Sequence, residues 1–126
     1  MVGLVIVSHI EKLAEGIVDL VRLMAAEAPI AAAGGLEDGS PGTSFGKISS
    51  AVERVDAGDG VAILMDMGSA VMTAEMVLES MGERKVRLMD CPVAEGAVVI
   101  AMECIAGSSL DEIEAVAGDW SAYKKF

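Results

Sequence analysis

A single histidine stands in this chain, His9, and it follows Ser8 at the end of the apolar run Val2–Val7. Imidazole is the side chain that changes charge around neutral pH, and in its neutral form it carries a lone pair able to attack phosphorus. A carboxylate bonded to one ring nitrogen fixes the tautomer and leaves the other nitrogen as the nucleophile. Asp66 suits that role, because it ends a second apolar run, Val61–Met65. Ser69 and Thr43 stand where helices are expected to begin, and helix N-termini offer free N–H groups and a partial positive charge. Each such terminus is worth roughly 0.3–1 kcal/mol to a nearby anion. An imidazole, a carboxylate and two amide-rich helix starts together fit the carriage of a phosphoryl group, a reaction served mostly by positioning and charge stabilisation. His9 is therefore the expected phosphoryl-carrying nucleophile.

Each of these residues also has a plainer use. Asp66, just before Gly68, suits the cap of the following helix, and Thr43 and Ser44 suit the cap of another. Cys91 suits packing. Gly42 to Lys47 imitates a P-loop, but the spacing from Pro41 is wrong and Ile48 stands where Ser or Thr is required. No GxGxxG fingerprint follows a strand, so a nucleotide is not expected to bind this chain directly.

The elements that must position these groups follow from periodicity. Val2–Val7 and Val61–Met65 are continuous apolar runs, as in strands buried on both faces of a parallel sheet. Val86–Met89 reads as a shorter strand, and Ile30–Ala33 is a strand by its place in the alternation. Leu13, Ile17, Leu20, Val21 and Met24 form the apolar stripe of a first helix. Ile48, Ala51, Val52 and Val55 form that of a second, and Ala70, Ala74, Val77, Leu78 and Met81 that of a third, with Gly82 at its end. Pro92 suits the first turn of a helix running from Val93 to about Ala106. That helix is apolar nearly all round, so the sheet should cover one side and a second subunit the other. Leu110–Ala117 is a last helix capped by Ser108 or Ser109, and Trp120–Phe126 carries most of the aromatics without an assigned role.

Alternating strands and helices give a parallel sheet with right-handed crossovers. All strands then end on one edge, which brings together His9, Gly34, Asp66 and Cys91. Open α/β sheets bind ligands along that edge.

The 126 residues suit one domain, 1–126, and 53% hydrophobic content with 3% aromatics implies an aliphatic core. A net charge of −11 argues against nucleic acid and against an anionic membrane. The two cysteines lack disulfide or zinc spacing, so no metal is expected, and no cofactor is implied. Neither a signal peptide nor a spanning segment is apparent, which makes the cytoplasm the expected location.

Six segments carry a family resemblance: Leu4–His9, Glu15-Gly16, Gly34-Gly35, Gly42-Thr43, Met65-Asp66-Met67-Gly68-Ser69-Ala70, and Cys91-Pro92-Val93-Ala94-Glu95-Gly96. Together they resemble DhaM, the phosphoryl-donor subunits of phosphotransferase-dependent dihydroxyacetone kinases, relatives of the mannose-type enzyme IIA domains of the sugar phosphotransferase system. The resemblance implies a three-layer α/β/α sandwich around a mainly parallel sheet of order 2-1-3-4, and a homodimer. It implies that His9 takes a phosphoryl group from HPr and passes it to ADP on DhaL, whose ATP then serves DhaK. It also implies that Asp66 orients His9, with Thr43, Gly68 and Ser69 around the phosphoryl group. Ile10 stands where relatives commonly carry a small residue. Two other readings are kept: a sugar enzyme IIA delivering to a IIB protein, and a non-catalytic module binding an anion or a partner.

Overall fold

The computed structural model describes residues 1–126. Four strands, β1 (Gly3–Ser8), β2 (Ile30–Gly34), β3 (Val61–Met65) and β4 (Val86–Leu88), alternate with α1 (Glu11–Met24), α2 (Phe45–Val55) and α3 (Ser69–Ser80), followed by α4 (Val93–Ile105) and α5 (Leu110–Ala117). All strand pairs are parallel and the order is β2-β1-β3-β4, as the resemblance implied. No helix is long and apolar enough to cross a membrane.

The alternating sides of β1 explain the layering. Leu4 and Ile6 point into a core shared with α1, α4 and α5, whereas Val5 and Val7 point into a second core under α2 and α3. A strand covered on both faces has no polar side to show, which is why its sequence does not alternate.

Three details differ from the sequence reading. In α1 the buried residues are Ala14, Ile17, Val18 and Val21, while Leu13, Leu20 and Met24 are exposed. Ala14 takes the inner face beside Gly34 because α1 packs very close to β2 there: a Cβ on Gly34 would lie 2.8 Å from the Ala14 Cβ and 2.9 Å from the Ile10 carbonyl oxygen. In α3 only Ala70, Ala74 and Val77 are buried, and Leu78 and Met81 lie at its margin. Pro92 precedes the first turn of α4 as its N-cap instead of entering it. At α5 it is Ser109 that caps, accepting from Glu112 N while the Glu112 side chain returns to Ser109 N.

The tight fit at Gly34 sets the loop that carries His9. Gly34→Ala should destabilise the fold by about 1–3 kcal/mol, the usual cost of overpacking. Urea unfolding measures this directly, and a midpoint equal to the parent's would mean that α1 has room to retreat.

Candidate functional site

The site is built at the carboxyl ends of β1 and β3. In register, Val7 pairs with Met65, and Asp66 N donates to the Val7 carbonyl oxygen at 3.1 Å. One step further along both strands, Ser8 and Asp66 meet on the same face of the sheet, the face that Leu4, Ile6, Ala62 and Leu64 cover with α1 and α4. Ser8 is wholly buried and its hydroxyl donates to Asp66 Oδ2 at 3.0 Å. The chain then turns outward, so that His9 stands at the rim with its side chain 25% exposed.

Asp66 grips His9 twice. His9 N donates to Oδ2 at 2.9 Å, and ring Nδ1 lies 3.0 Å from Oδ1 and 3.2 Å from Oδ2. Met67 N adds a further bond to Oδ1 at 2.7 Å. Burial pushes the Asp66 carboxyl upward, but the bonds from the His9 and Met67 amides, the His9 ring and the Ser8 hydroxyl outweigh it and hold the group below its ordinary value. An ionised carboxylate only accepts, so Nδ1 carries the proton and donates. In the neutral ring Nε2 then holds the lone pair, and Ser69 Oγ, 2.6 Å away, donates to it.

Gly68 opens α3 with φ +52 and ψ −119, a backbone setting that side-chain-bearing residues rarely adopt. That turn delivers Ser69 to the ring. No side chain caps α3, and Asp66 spends its oxygens on His9, Ser8 and Met67, so the capping role considered for it is not used.

Thr43 is brought to the same edge but not to the imidazole. Its hydroxyl lies 2.8 Å from Thr73 Oγ1, which donates to the Ser69 carbonyl oxygen at 3.0 Å. Because the single Thr73 proton is used there, Thr43 must be the donor between the two. Gly42 N, one residue earlier, donates to the His9 carbonyl oxygen at 2.9 Å, so this loop grips the turn that carries His9 by its backbone. Ser44, not Thr43, caps α2 by accepting from Lys47 N at 3.1 Å. Lys47, the lysine of the imitation P-loop, donates to the Gly34 carbonyl oxygen at 2.6 Å and ties α2 to the end of β2. Cys91 is partly buried, and burial pushes its thiol up to about 11, in keeping with packing. Trp120 Nε1 donates to the Asp90 carbonyl oxygen at 3.2 Å, which gives the aromatic tail a place against the loop after β4.

Two contributors carried no assigned role at the level of sequence. The Thr73 hydroxyl follows Ser69 by four residues in one helix, a spacing that puts both on one face. The bond between Ser8 and Asp66 needs the strand register, which no local pattern contains.

With this geometry in hand, comparison with known proteins is informative. Residues 3–114 match the family EIIA-man, described as the PTS system fructose IIA component. The chain is 40% identical over 101 residues to the phosphoryl donor subunit DhaM of PEP-dependent dihydroxyacetone kinase 1 from Listeria innocua, covering 80% of each chain. It is 36% identical to the PTS-dependent dihydroxyacetone kinase phosphotransferase subunit DhaM of Lactococcus lactis, covering 89% of each. The DhaM of Escherichia coli is 39% identical over 90% of this chain, which spans only 25% of that longer protein. Among solved structures, the unknown-function protein EF1359 superposes with a TM-score of 0.81 at 30% identity, covering 92% of each chain.

Proposed function

This chain belongs to the EIIA-man family, the PTS system fructose IIA component, and from that premise we propose that it is the phosphoryl donor subunit of a PEP-dependent dihydroxyacetone kinase. The names of its relatives support that reading. The observation that carries the chemistry is the bracketing of one partly exposed ring, Asp66 at Nδ1 and Ser69 at Nε2. In this reading the Nε2 lone pair attacks the phosphorus of phosphohistidine on HPr. The donor's P–N bond breaks as the new P–N bond forms, and the donor imidazole keeps the electron pair and regains a proton from solvent. In the second step a β-phosphate oxygen of ADP on DhaL attacks the phosphorus, and the electron pair returns to Nε2. The ATP so formed serves DhaK.

Asp66 keeps the proton on Nδ1 and offsets the positive charge that grows on the ring. Ser69 has to leave Nε2 for the phosphoryl group to arrive, and its hydroxyl and the open amides at Gly68 and Ser69 then face the phosphoryl oxygens. Thr43 joins them when it releases Thr73. We place the protein in the cytoplasm with its donor.

Incubation with phosphoenolpyruvate, enzyme I and HPr, followed by intact-mass measurement, tests this reading. The expected product is an acid-labile phosphoryl adduct that DhaL with bound ADP discharges. A chain that stays unlabelled is a non-catalytic binding module. The fructose description of the family favours a second reading, a sugar enzyme IIA. Under it, discharge occurs to a IIB protein and not to DhaL.

The proposal includes a homodimer. The inner side of α4 (Gly96, Ala97, Ile100, Ala101, Cys104) faces the core, but Met102 and Ile105 are exposed, as are Leu20, Leu23 and Met24 on the neighbouring α1. Leu23 is 82% exposed, and exposed apolar residues gathered on two neighbouring helices mark a protein contact. Sedimentation of the wild type should give a dimer, and Leu23→Asp with Met102→Asp should give a folded monomer. A wild type that sediments as a monomer removes the dimer from the reading.

A further inference from the structure

We infer that Ser8 is a positioning residue for phosphoryl transfer, acting through Asp66 to hold His9 in the tautomer that leaves Nε2 free. The inference rests on the phosphocarrier reading above.

Ser8 is the one hydroxyl that ends an otherwise aliphatic buried strand, and its side chain has no exposure. A valine there would continue the pattern of β1 and bury more apolar surface. What the hydroxyl adds is a pair of bonds with opposite sense. Ile10 N donates to Ser8 Oγ at 3.0 Å, and the Ser8 hydroxyl proton goes to Asp66 Oδ2 at 3.0 Å. The first bond uses a lone pair of the oxygen, and the second uses its only proton, so the direction of the Ser8–Asp66 bond is set.

The consequence falls on the carboxylate. Asp66 Oδ2 receives Ser8 Oγ and His9 N, Oδ1 receives Met67 N, and the ring Nδ1 lies closer to Oδ1, at 3.0 Å, than to Oδ2, at 3.2 Å. With Oδ2 tied to the end of β1 by two donors, the carboxylate plane cannot swing, and Oδ1 stays aimed at Nδ1. The same serine also ties Ile10, so it braces both residues that flank His9 in space and in sequence. Without the hydroxyl, Oδ2 keeps the His9 amide and the longer ring contact, the carboxylate gains a rotational freedom, and Ile10 N loses its acceptor.

The experiment compares Ser8→Ala and Ser8→Thr with the wild type, using phospho-HPr as donor. Ser8→Ala should transfer about tenfold or more slowly, the loss expected for one hydrogen bond to a charged group. The drop should fall on the maximal rate, with the concentration of phospho-HPr for half-maximal rate unchanged. Nitrogen-15 shifts of the His9 ring should report a single Nδ1–H tautomer in the wild type and a mixture in Ser8→Ala. Ser8→Thr, which keeps the hydroxyl, should restore both the rate and the single tautomer. A Ser8→Ala protein with the wild-type rate and a single tautomer overturns the inference. So does a slow Ser8→Ala whose tautomer is unchanged, because the serine then acts only on general stability. The tautomer is read without any donor present. A wild type that takes no phosphoryl group while showing this tautomer pattern defeats the phosphocarrier reading and leaves the positioning of His9 by Ser8 in place.

Discussion

His9→Ala leaves a folded protein that takes no phosphoryl group from phospho-HPr. The expected loss is complete, because His9 is the only histidine in the chain and no second imidazole can substitute for it. The fold should survive, since the ring stands at the rim and its removal touches only Asp66 and Ser69 among polar partners. The backbone bond from residue 9 to Asp66 Oδ2 does not need the ring and persists in alanine. Intact mass before and after mild acid reads the outcome. An acid-labile adduct on the alanine variant would mean that a different residue carries the group. An adduct that resists acid would point to a hydroxyl such as Ser69.

Asp66→Ala should slow transfer by about 100-fold or more, within the range attributed to positioned proton-holding groups. The variant keeps the nucleophile but frees its tautomer, so the proton can sit on Nε2 and block attack. It also leaves the Ser8 hydroxyl and the amides of His9 and Met67 without their acceptor, which lowers stability as well as rate. The two effects separate with pH. The Asp66 carboxyl is held below its ordinary value, chiefly by amide bonds that overcome its burial. A group depressed in the folded state adds stability that is present above its unfolded value, about 3.9, and that is lost as pH falls through the native value. The stability curves of wild type and Asp66→Ala should therefore lie apart at neutral pH and converge in acid. Urea unfolding at a series of pH values measures the gap. Transfer at the parent rate would remove Asp66 from the mechanism, whatever the stability curves do.

The placement of Thr43 shows how a right neighbourhood can hide a different contact. Its sequence setting suits a phosphate-facing hydroxyl or a helix cap; Ser44 takes the cap of α2, and Thr43 gives its proton to Thr73. Both alternatives are local, whereas the observed partner lies on another helix. The α1 stripe teaches the same lesson. Leu13, Leu20 and Met24 look like core residues by hydropathy, yet Ala14 and Val18 take the inner face. Periodicity identifies an apolar side of a helix but not its rotation, which depends on how closely the helix approaches the sheet. Here Gly34 lets it come very close.

Four strands, the helices between them and the shared edge of their carboxyl ends were legible in the chain alone. Apolar runs too short for helices but long enough to be buried on both sides, each followed by a helical period, admit few arrangements. For the same reason His9 and Asp66 could be assigned to one edge from sequence, since parallel strands finish together. Distance and orientation were decided only by the tertiary structure. The β1–β3 register makes Ser8 and Asp66 neighbours, and a slip of one residue would turn Asp66 to the opposite face. The positive φ at Gly68 then brings Ser69 to Nε2. Register and turn geometry are settled by packing across the whole sheet, so no window of sequence contains them.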